Sequence, residues 1–264
     1  MNKMQFESAV TTLYEGHYHY GVVALLNSLI HSGFKGIFRI GYRGDLPVWT
    51  SQLISLGSND FLATDSLVIS FVYTNPDMHF GYYKPKFIKD TLSEFPSIEK
   101  IYYFDPDIVI DAPWLFFSKW VQSGVALCLD NCFHFVHRNH PWRKDWAELA
   151  NFNPDRISEL DYYVNSGFIG LKSNDVTILD RWLHLTENYK AIGGNLQLFE
   201  KDGHRAFKGD QDLLNAVITV SPELKISLIG KEGMGFSQPA YLMSHAVSSI
   251  KPWKKIFLKD LLRL

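Results

Sequence analysis

Apolar positions along the chain fall into short continuous runs and helix-spaced sets, and the alternation between them sets out the expected architecture. Residues 10–14, 36–42 and 67–73 are short runs rich in β-branched and aromatic side chains, the pattern of buried strands. Residues 18–31 place Val22, Val23, Leu25, Leu26, Leu29 and Ile30 where a well-buried helix needs them, with Gly33 available to end it. A second helix is expected over residues 47–56, opened by Pro47, and a third from about Tyr83 to Phe95, feeding a strand that ends at Asp105. Beyond it, residues 114–122, 175–189 and 210–220 read as helices, and residues 125–130 and 162–171 as strands. This alternation predicts an α/β fold with a mostly parallel, Rossmann-like sheet flanked by helices. Residues 133–161 break the rhythm. They are dense in His, Trp, Arg, Asn and Pro, with one short helix expected near residues 142–150, and they read as an insertion over a functional site.

Composition narrows the function classes. A chain of 264 residues with 46% apolar and 15% aromatic content has the material for one α/β domain and a binding groove besides. Its net charge of −2 provides no field for a polyanion, which argues against nucleic-acid binding, so an anionic ligand must be met locally. Cys128 and Cys132 form neither a disulfide framework nor a Cys-x-x-Cys pair, and a reducing compartment is expected. No leader-like N-terminal run or membrane-spanning stretch is apparent, which makes the cytoplasm the expected location.

The most informative segment is Lys100-Ile101-Tyr102-Tyr103-Phe104-Asp105-Pro106-Asp107. Pro106 must break the strand, because it lacks a ladder donor and keeps its neighbour extended. Two carboxylates therefore emerge together at a strand end, where open α/β sheets place ligands. Hard divalent cations prefer such oxygens and keep positions open for substrate phosphates. An isolated Asp-Pro-Asp is also a common solvated turn.

Four segments taken together, in this order, decide between those readings: Asp105-Pro106-Asp107; Tyr163-Val164-Asn165-Ser166-Gly167-Phe168-Ile169; Gly209-Asp210-Gln211-Asp212-Leu213-Leu214-Asn215; and His245 followed by Lys251-Pro252-Trp253. The set resembles the metal-dependent GT-A glycosyltransferases, above all the retaining enzymes of glycosyltransferase family 8, and it spans most of the chain. The resemblance implies one GT-A domain, with residues 1–130 as the nucleotide-sugar half and residues 131–264 as the acceptor-binding and catalytic half. It assigns Asp105, Asp107 and His245 to one Mn²⁺ or Mg²⁺ and Lys251 to the donor diphosphate. Thr11, Leu13 and Tyr14 match the region holding base and ribose, usually of a UDP donor. Lys86 falls where the family places a basic residue facing the nucleotide, and Lys84 is an equal candidate. Asp130 and Asn165 are expected on the transferred sugar, with Ser166 and Gly167 leaving room for its ring, and Asp210 and Gln211 on its reacting face. Asp212 reads as a helix-orienting acid. Ser248 departs from the family, which usually has glycine there. The implied reaction moves a sugar from the nucleotide to a saccharide or lipid-linked saccharide with retention.

Rival readings have distinct marks. A haloacid dehalogenase-like phosphatase also has two acids after an apolar strand, but in its first core strand, whereas about a hundred residues precede Asp105 here. A sugar nucleotidyltransferase would carry a glycine-rich basic loop after the first strand, which is missing. His134, His137 and His140 beside Cys128 and Cys132 lack a common zinc spacing. A non-catalytic sugar-nucleotide-binding module would have no need to keep Asp105, Asp107 and His245 together. Residues 251–264 mix lysines with Phe and Leu, as a packing helix or as an amphipathic segment giving peripheral contact with an anionic membrane.

Overall fold

In the computed structural model, residues 6–199, 206–235 and 241–254 are described. The chain opens with β1 (Ser8–Glu15), α1 (His19–Ser32) and β2 (Gly36–Arg43), then β3 (Ile54–Gly57), β4 (Asp60–Thr64) and β5 (Leu67–Tyr73). Next come α2 (Phe80–Glu94), β6 (Lys100–Phe104), β7 (Ile108–Ile110), α3 (Trp114–Trp120), β8 (Val125–Cys128) and α4 (Pro141–Leu149). The last elements are β9 (Phe168–Lys172), α5 (Thr177–Ala191), α6 (Asp210–Thr219), β10 (Ile226–Ile229), β11 (Met234–Gly235) and β12 (Met243–His245).

Nine strands form one sheet in the order β10-β8-β9-β6-β1-β2-β5-β4-β3, and β11, β12 and β7 form a second, three-stranded one. Both faces of the large sheet are covered, and the strand pleat deals side chains alternately to the two layers. Ile101 and Tyr103 of β6 join one core with Phe87, Trp146, Trp182 and Leu213. Tyr102 and Phe104 join the other with Leu25, Leu29, Trp114 and Phe117. Thus α1 and α3 lie on one side, and α2, α4, α5 and α6 on the other.

The sheet is mixed, which corrects the expectation of a mostly parallel one. Four ladders are parallel, β1–β2, β2–β5, β1–β6 and β8–β10. Four are antiparallel, β3–β4, β4–β5, β6–β9 and β8–β9. Two local causes account for the antiparallel part. The segment between β8 and β9 does not return the chain to the far end of the sheet, so β9 runs back alongside β6. The helix expected over residues 47–56 is instead a short 3₁₀ turn, Val48–Gln52, followed by β3. Ser58 and Asn59, at φ 52° and 64°, then form a two-residue hairpin into β4, the positive-φ pair that a primed turn requires.

The expected strand over residues 162–171 becomes regular only at Phe168. Before it, Val164 and Tyr162 make isolated bridges to Leu129 and Phe135. Likewise the strand expected through Asp130 is regular only to Cys128.

Strand order fixes where a ligand can bind. From β1 the chain winds outward through β2 and β5, then crosses back so that β6 lies on the other side of β1. The carboxyl ends of β1 and β6 therefore flank a topological switch point, where α/β sheets leave a crevice. Among the described residues, no helix is long and apolar enough to cross a membrane. Residues 255–264, most of the basic C-terminal segment, lie outside the described residues.

Candidate metal centre and polar cleft

Asp105 follows β6 directly, and its backbone is held in place by a hydrogen bond from Asp105 N to Gly167 O at 2.8 Å. Pro106 turns the chain, Ile108 N closes the turn on Asp105 O at 3.1 Å, and β7 begins. β12 then pairs antiparallel with β7, placing His245 opposite Ile108, and Ala246 N bonds to Asp107 O at 3.0 Å. This small sheet is the device that carries a histidine from the far end of the sequence to the two acids. His245 Nε2 lies 3.2 Å from Asp107 Oδ1 and 3.9 Å from Asp105 Oδ2. One ligand atom from each of the three residues falls within 4.8 Å of the others.

The donor set fits a hard divalent cation. Metal–oxygen bonds of about 2.1 Å put neighbouring octahedral ligands about 3 Å apart and opposite ones about 4.2 Å apart. The separations of 3.2 and 3.9 Å from His245 lie in that range, and two oxygens with one imidazole nitrogen leave positions for ligand oxygens. Glycines keep the space open. A Cβ on Gly167 would stand 2.6 Å from His245 Cε1 and 3.1 Å from Asp105 Oδ2, and one on Gly21 of α1 would stand 2.1 Å from Pro106 O. Such separations exclude any side chain at either position without rearrangement.

Two lysines serve the acids. Lys251 Nζ donates to Asp107 Oδ2 at 2.5 Å and to Ala246 O at 2.6 Å, and lies 5.6 Å from the centre of the Tyr18 ring. Burial disfavours the Asp107 carboxylate, but the hydrogen bonds and charges of His245 and Lys251 outweigh it and hold its pKa below the usual value. Lys84, only 4% exposed, spans Asp105 Oδ1 at 3.0 Å and Asp210 Oδ2 at 2.9 Å and donates to Ser166 O at 3.1 Å. Burial alone would lower its pKa, yet the two carboxylates raise it, so Lys84 stays charged. Tyr103, on the same face of β6 as Asp105, donates to Asp105 Oδ1 at 3.0 Å. Burial and the Asp105 charge push the phenol pKa far up, keeping it a donor.

Beside this charged cluster lies one built of neutral donors. Asp130 Oδ1 accepts from Cys132 N and Phe133 N at 2.9 and 3.0 Å. Its Oδ2 accepts from Asn165 Nδ2 at 3.1 Å and Gln211 Nε2 at 3.2 Å. Gln211 Oε1 in turn accepts from Ser166 N at 3.1 Å, and Asn165 Oδ1 from Gly167 N at 2.8 Å. Ser166 joins the two clusters, receiving Lys84 on its carbonyl and offering its N–H to Gln211. The charged cluster opens on a cleft of 270 Å³ lined by Leu13, Tyr14, Tyr18, Lys84, Asp105, Asp107 and Asp210 among others, and Ser166 in its wall leads to the neutral cluster.

The structure therefore puts Asp105, Asp107 and Asp210 in the wall of one cleft with Leu13 and Tyr14, holds His245 and Lys251 against Asp107 behind them, and ties Asp130, Asn165 and Gln211 to the same region through Ser166. Two expected residues fall elsewhere. Thr11 is fully buried, and its hydroxyl donates to Tyr102 O inside the sheet at 3.0 Å. Lys86 is exposed and pairs with Asp90 one turn along α2, at 2.5 Å. Lys84 is the lysine that reaches the acids. Asp212 accepts from Tyr163 OH at 2.7 Å and from Lys208 N at 2.6 Å, orienting the start of α6. Cys128 is buried, Cys132 exposed, and both are free. Among the described residues, the one cluster suited to a metal is Asp105, Asp107 and His245, and no zinc-like group forms at His134, His137 and His140. Sequence reasoning missed Tyr103, although its place two residues before Asp105 on a strand puts both on one face.

A scan against protein-family models finds no matching family, and a search of curated proteins finds no matching relative.

Proposed function

We propose that this chain is a metal-dependent glycosyltransferase of the GT-A type, transferring a sugar from a nucleotide diphosphate donor, UDP-linked, to a saccharide or lipid-linked saccharide with retention. One observation carries the reading: an Asp-Asp-His group able to hold a cation, with its own lysine, stands at the sheet's switch point and is joined through Ser166 to a separate cluster of neutral amides. A diphosphate needs the first and an uncharged sugar the second.

In this reading Asp105, Asp107 and His245 hold Mn²⁺ or Mg²⁺, which would neutralise charge on the diphosphate as it leaves. Lys251 adds a point charge to the same oxygens. Leu13 and Tyr14 bound the nucleotide, and Lys84 fixes Asp105 and Asp210 in their positions. As positive charge develops on the sugar, the carboxylates of Asp210 and Asp130 and the side-chain amide oxygens of Gln211 and Asn165 stabilise it. A leaving phosphate oxygen serves as the base, so no dedicated side-chain base is required.

A panel of UDP- and GDP-sugars, assayed for slow donor hydrolysis in Mn²⁺ with the product anomer read by NMR, tests the proposal. Donor-selective turnover with retained configuration is expected. Phosphate release from simple monoesters would support a phosphatase, and nucleotide-sugar binding without turnover a non-catalytic module.

A further inference from the structure

The acids of the cation site are already engaged by other groups. Asp105 Oδ1 is shared by Lys84 and Tyr103, each at 3.0 Å. Asp107 Oδ1 faces His245 at 3.2 Å, and Asp107 Oδ2 faces Lys251 at 2.5 Å. Lys251 is not a loosely placed surface lysine. It is 9% exposed, and Asp107, Ala246 O and the Tyr18 ring surround its ammonium. A dication bound through Asp107 must sit beside that ammonium, and the two like charges oppose one another in a poorly solvated pocket. Phosphate oxygens reverse the balance, because they offer the ammonium a new anionic partner and ligate the cation as well.

We propose that Lys251 is the coupling element between cation and diphosphate: it holds Asp107 against a lone dication and transfers to the diphosphate when both ligands arrive, so that each ligand strengthens binding of the other. The inference rests on the reading of the site as a cation–diphosphate centre. Coupling of this kind is reciprocal and falls typically between about 5- and 150-fold.

The test is a binding matrix in chelator-stripped protein: Mn²⁺ alone, UDP alone and both together, by titration calorimetry and by loss of the free Mn²⁺ electron paramagnetic resonance signal, with uridine as the phosphate-free control. In the wild type, saturating UDP should tighten Mn²⁺ by at least about tenfold, and uridine should have no such effect. Lys251→Met should move the two affinities in opposite directions, Mn²⁺ alone binding several-fold tighter and UDP with Mn²⁺ weaker, with the coupling nearly gone. A lysine that served the diphosphate alone would leave the affinity for lone Mn²⁺ unchanged. That result, or full coupling in Lys251→Met, overturns the inference while leaving the proposed function standing. Failure of the wild type to bind Mn²⁺ with or without UDP overturns both. Lys251→Arg, which keeps the charge, should retain measurable coupling and covers the case in which Lys251→Met does not fold. Loss of coupling in a folded Lys251→Arg equal to that in Lys251→Met would count against a charge-based mechanism.

Discussion

Asp105 and Asp130 stand at corresponding ends of two strands that run in the same direction, yet their surroundings differ in kind. Asp105 meets an ammonium, a phenol and a second carboxylate two residues away. Asp130 is wrapped in four neutral N–H donors, two from the backbone and two from side-chain amides. Charged partners suit a cluster that exchanges ions with a ligand, because an arriving dication or diphosphate can replace them. Neutral donors fix a carboxylate without cancelling its charge, so it remains able to act on a cationic centre formed during reaction. Under the proposed function the same residue type would thus perform two tasks, and its neighbours would decide which.

The largest way to break the comparison is at the charged end. Asp107→Asn or His245→Ala removes a cation ligand, and the loss of Mn²⁺-dependent UDP affinity should exceed the roughly hundredfold that a supporting residue costs. Calorimetry measures it, and affinity unchanged in both variants would remove the cation site. Both variants should still fold, since neither the Asp107 nor the His245 side chain belongs to the two hydrophobic cores, and Met243, Ile108 and Ile110 keep β12 and β7 anchored in one of them. A pH series adds a check. The pKa of Asp107 is lowered in the fold, so its contribution to stability is present above its ordinary value of 3.8 and is lost as pH falls through the lowered value. The gap in Tm between wild type and Asp107→Asn should therefore narrow on acidification below pH 3.8.

At the neutral end the expected effect is on rate. Gln211→Ala removes one donor to Asp130 and the acceptor for Ser166 N. It should lower kcat by tenfold to about a hundredfold while nucleotide affinity changes little, because interactions realised only as charge develops appear in kcat. Equal loss in kcat and nucleotide affinity would show that Gln211 merely supports the pocket.

Between the two ends lies Gly167, whose missing Cβ is the space separating His245 from Asp105. Gly167→Ala should weaken Mn²⁺ about tenfold through displaced ligands, within the range for groups that orient a metal's ligands. Gln211's contribution to kcat should survive in this background when assayed at saturating metal. A Gly167→Ala protein with wild-type Mn²⁺ affinity would mean that the ligands can shift freely and that the close packing has no consequence.

How much of this was legible in the sequence depended on range. The apolar, β-branched and aromatic run over 101–104 and the proline at 106 were enough to place both acids at a strand end, because both signals are local. The order of motifs and the resemblance it carries then supplied Asp130, Asn165, Asp210, Gln211, His245 and Lys251 as candidates, but not Tyr103, and left Lys84 and Lys86 undistinguished. What the sequence did not disclose was pairing. The antiparallel return of β9 and the small sheet that brings His245 to Asp107 depend on partners distant along the chain, and no local pattern specifies them. The hairpin at Ser58 and Asn59 was local but was hidden by Pro47, read as a helix start. Likewise Thr11 was read as facing a ligand, whereas its position in a strand buried on both faces turns its hydroxyl toward Tyr102 O.

The smallest expected effect sharpens the comparison most, because it separates two lysines on one helix. Residues three, four and seven positions after Lys84 are Phe87, Ile88 and Thr91, all buried, while those after Lys86 are Lys89, Asp90 and Ser93, none of them buried. Helical geometry therefore sends the two lysines to opposite faces, a distinction present in the sequence that motif matching alone did not use. An exposed pair at this spacing contributes only about 0.3–0.5 kcal/mol. Lys86→Ala should accordingly change Tm by a degree or two and nucleotide affinity by less than about twofold. Lys84→Met, in contrast, leaves Asp105 and Asp210 without their shared cation and should disturb Mn²⁺ binding and turnover together. If Lys86→Ala were the variant that lost nucleotide affinity, α2 would have to present its other face to the ligand, and the assignment of Lys84 to the crevice would fall with it.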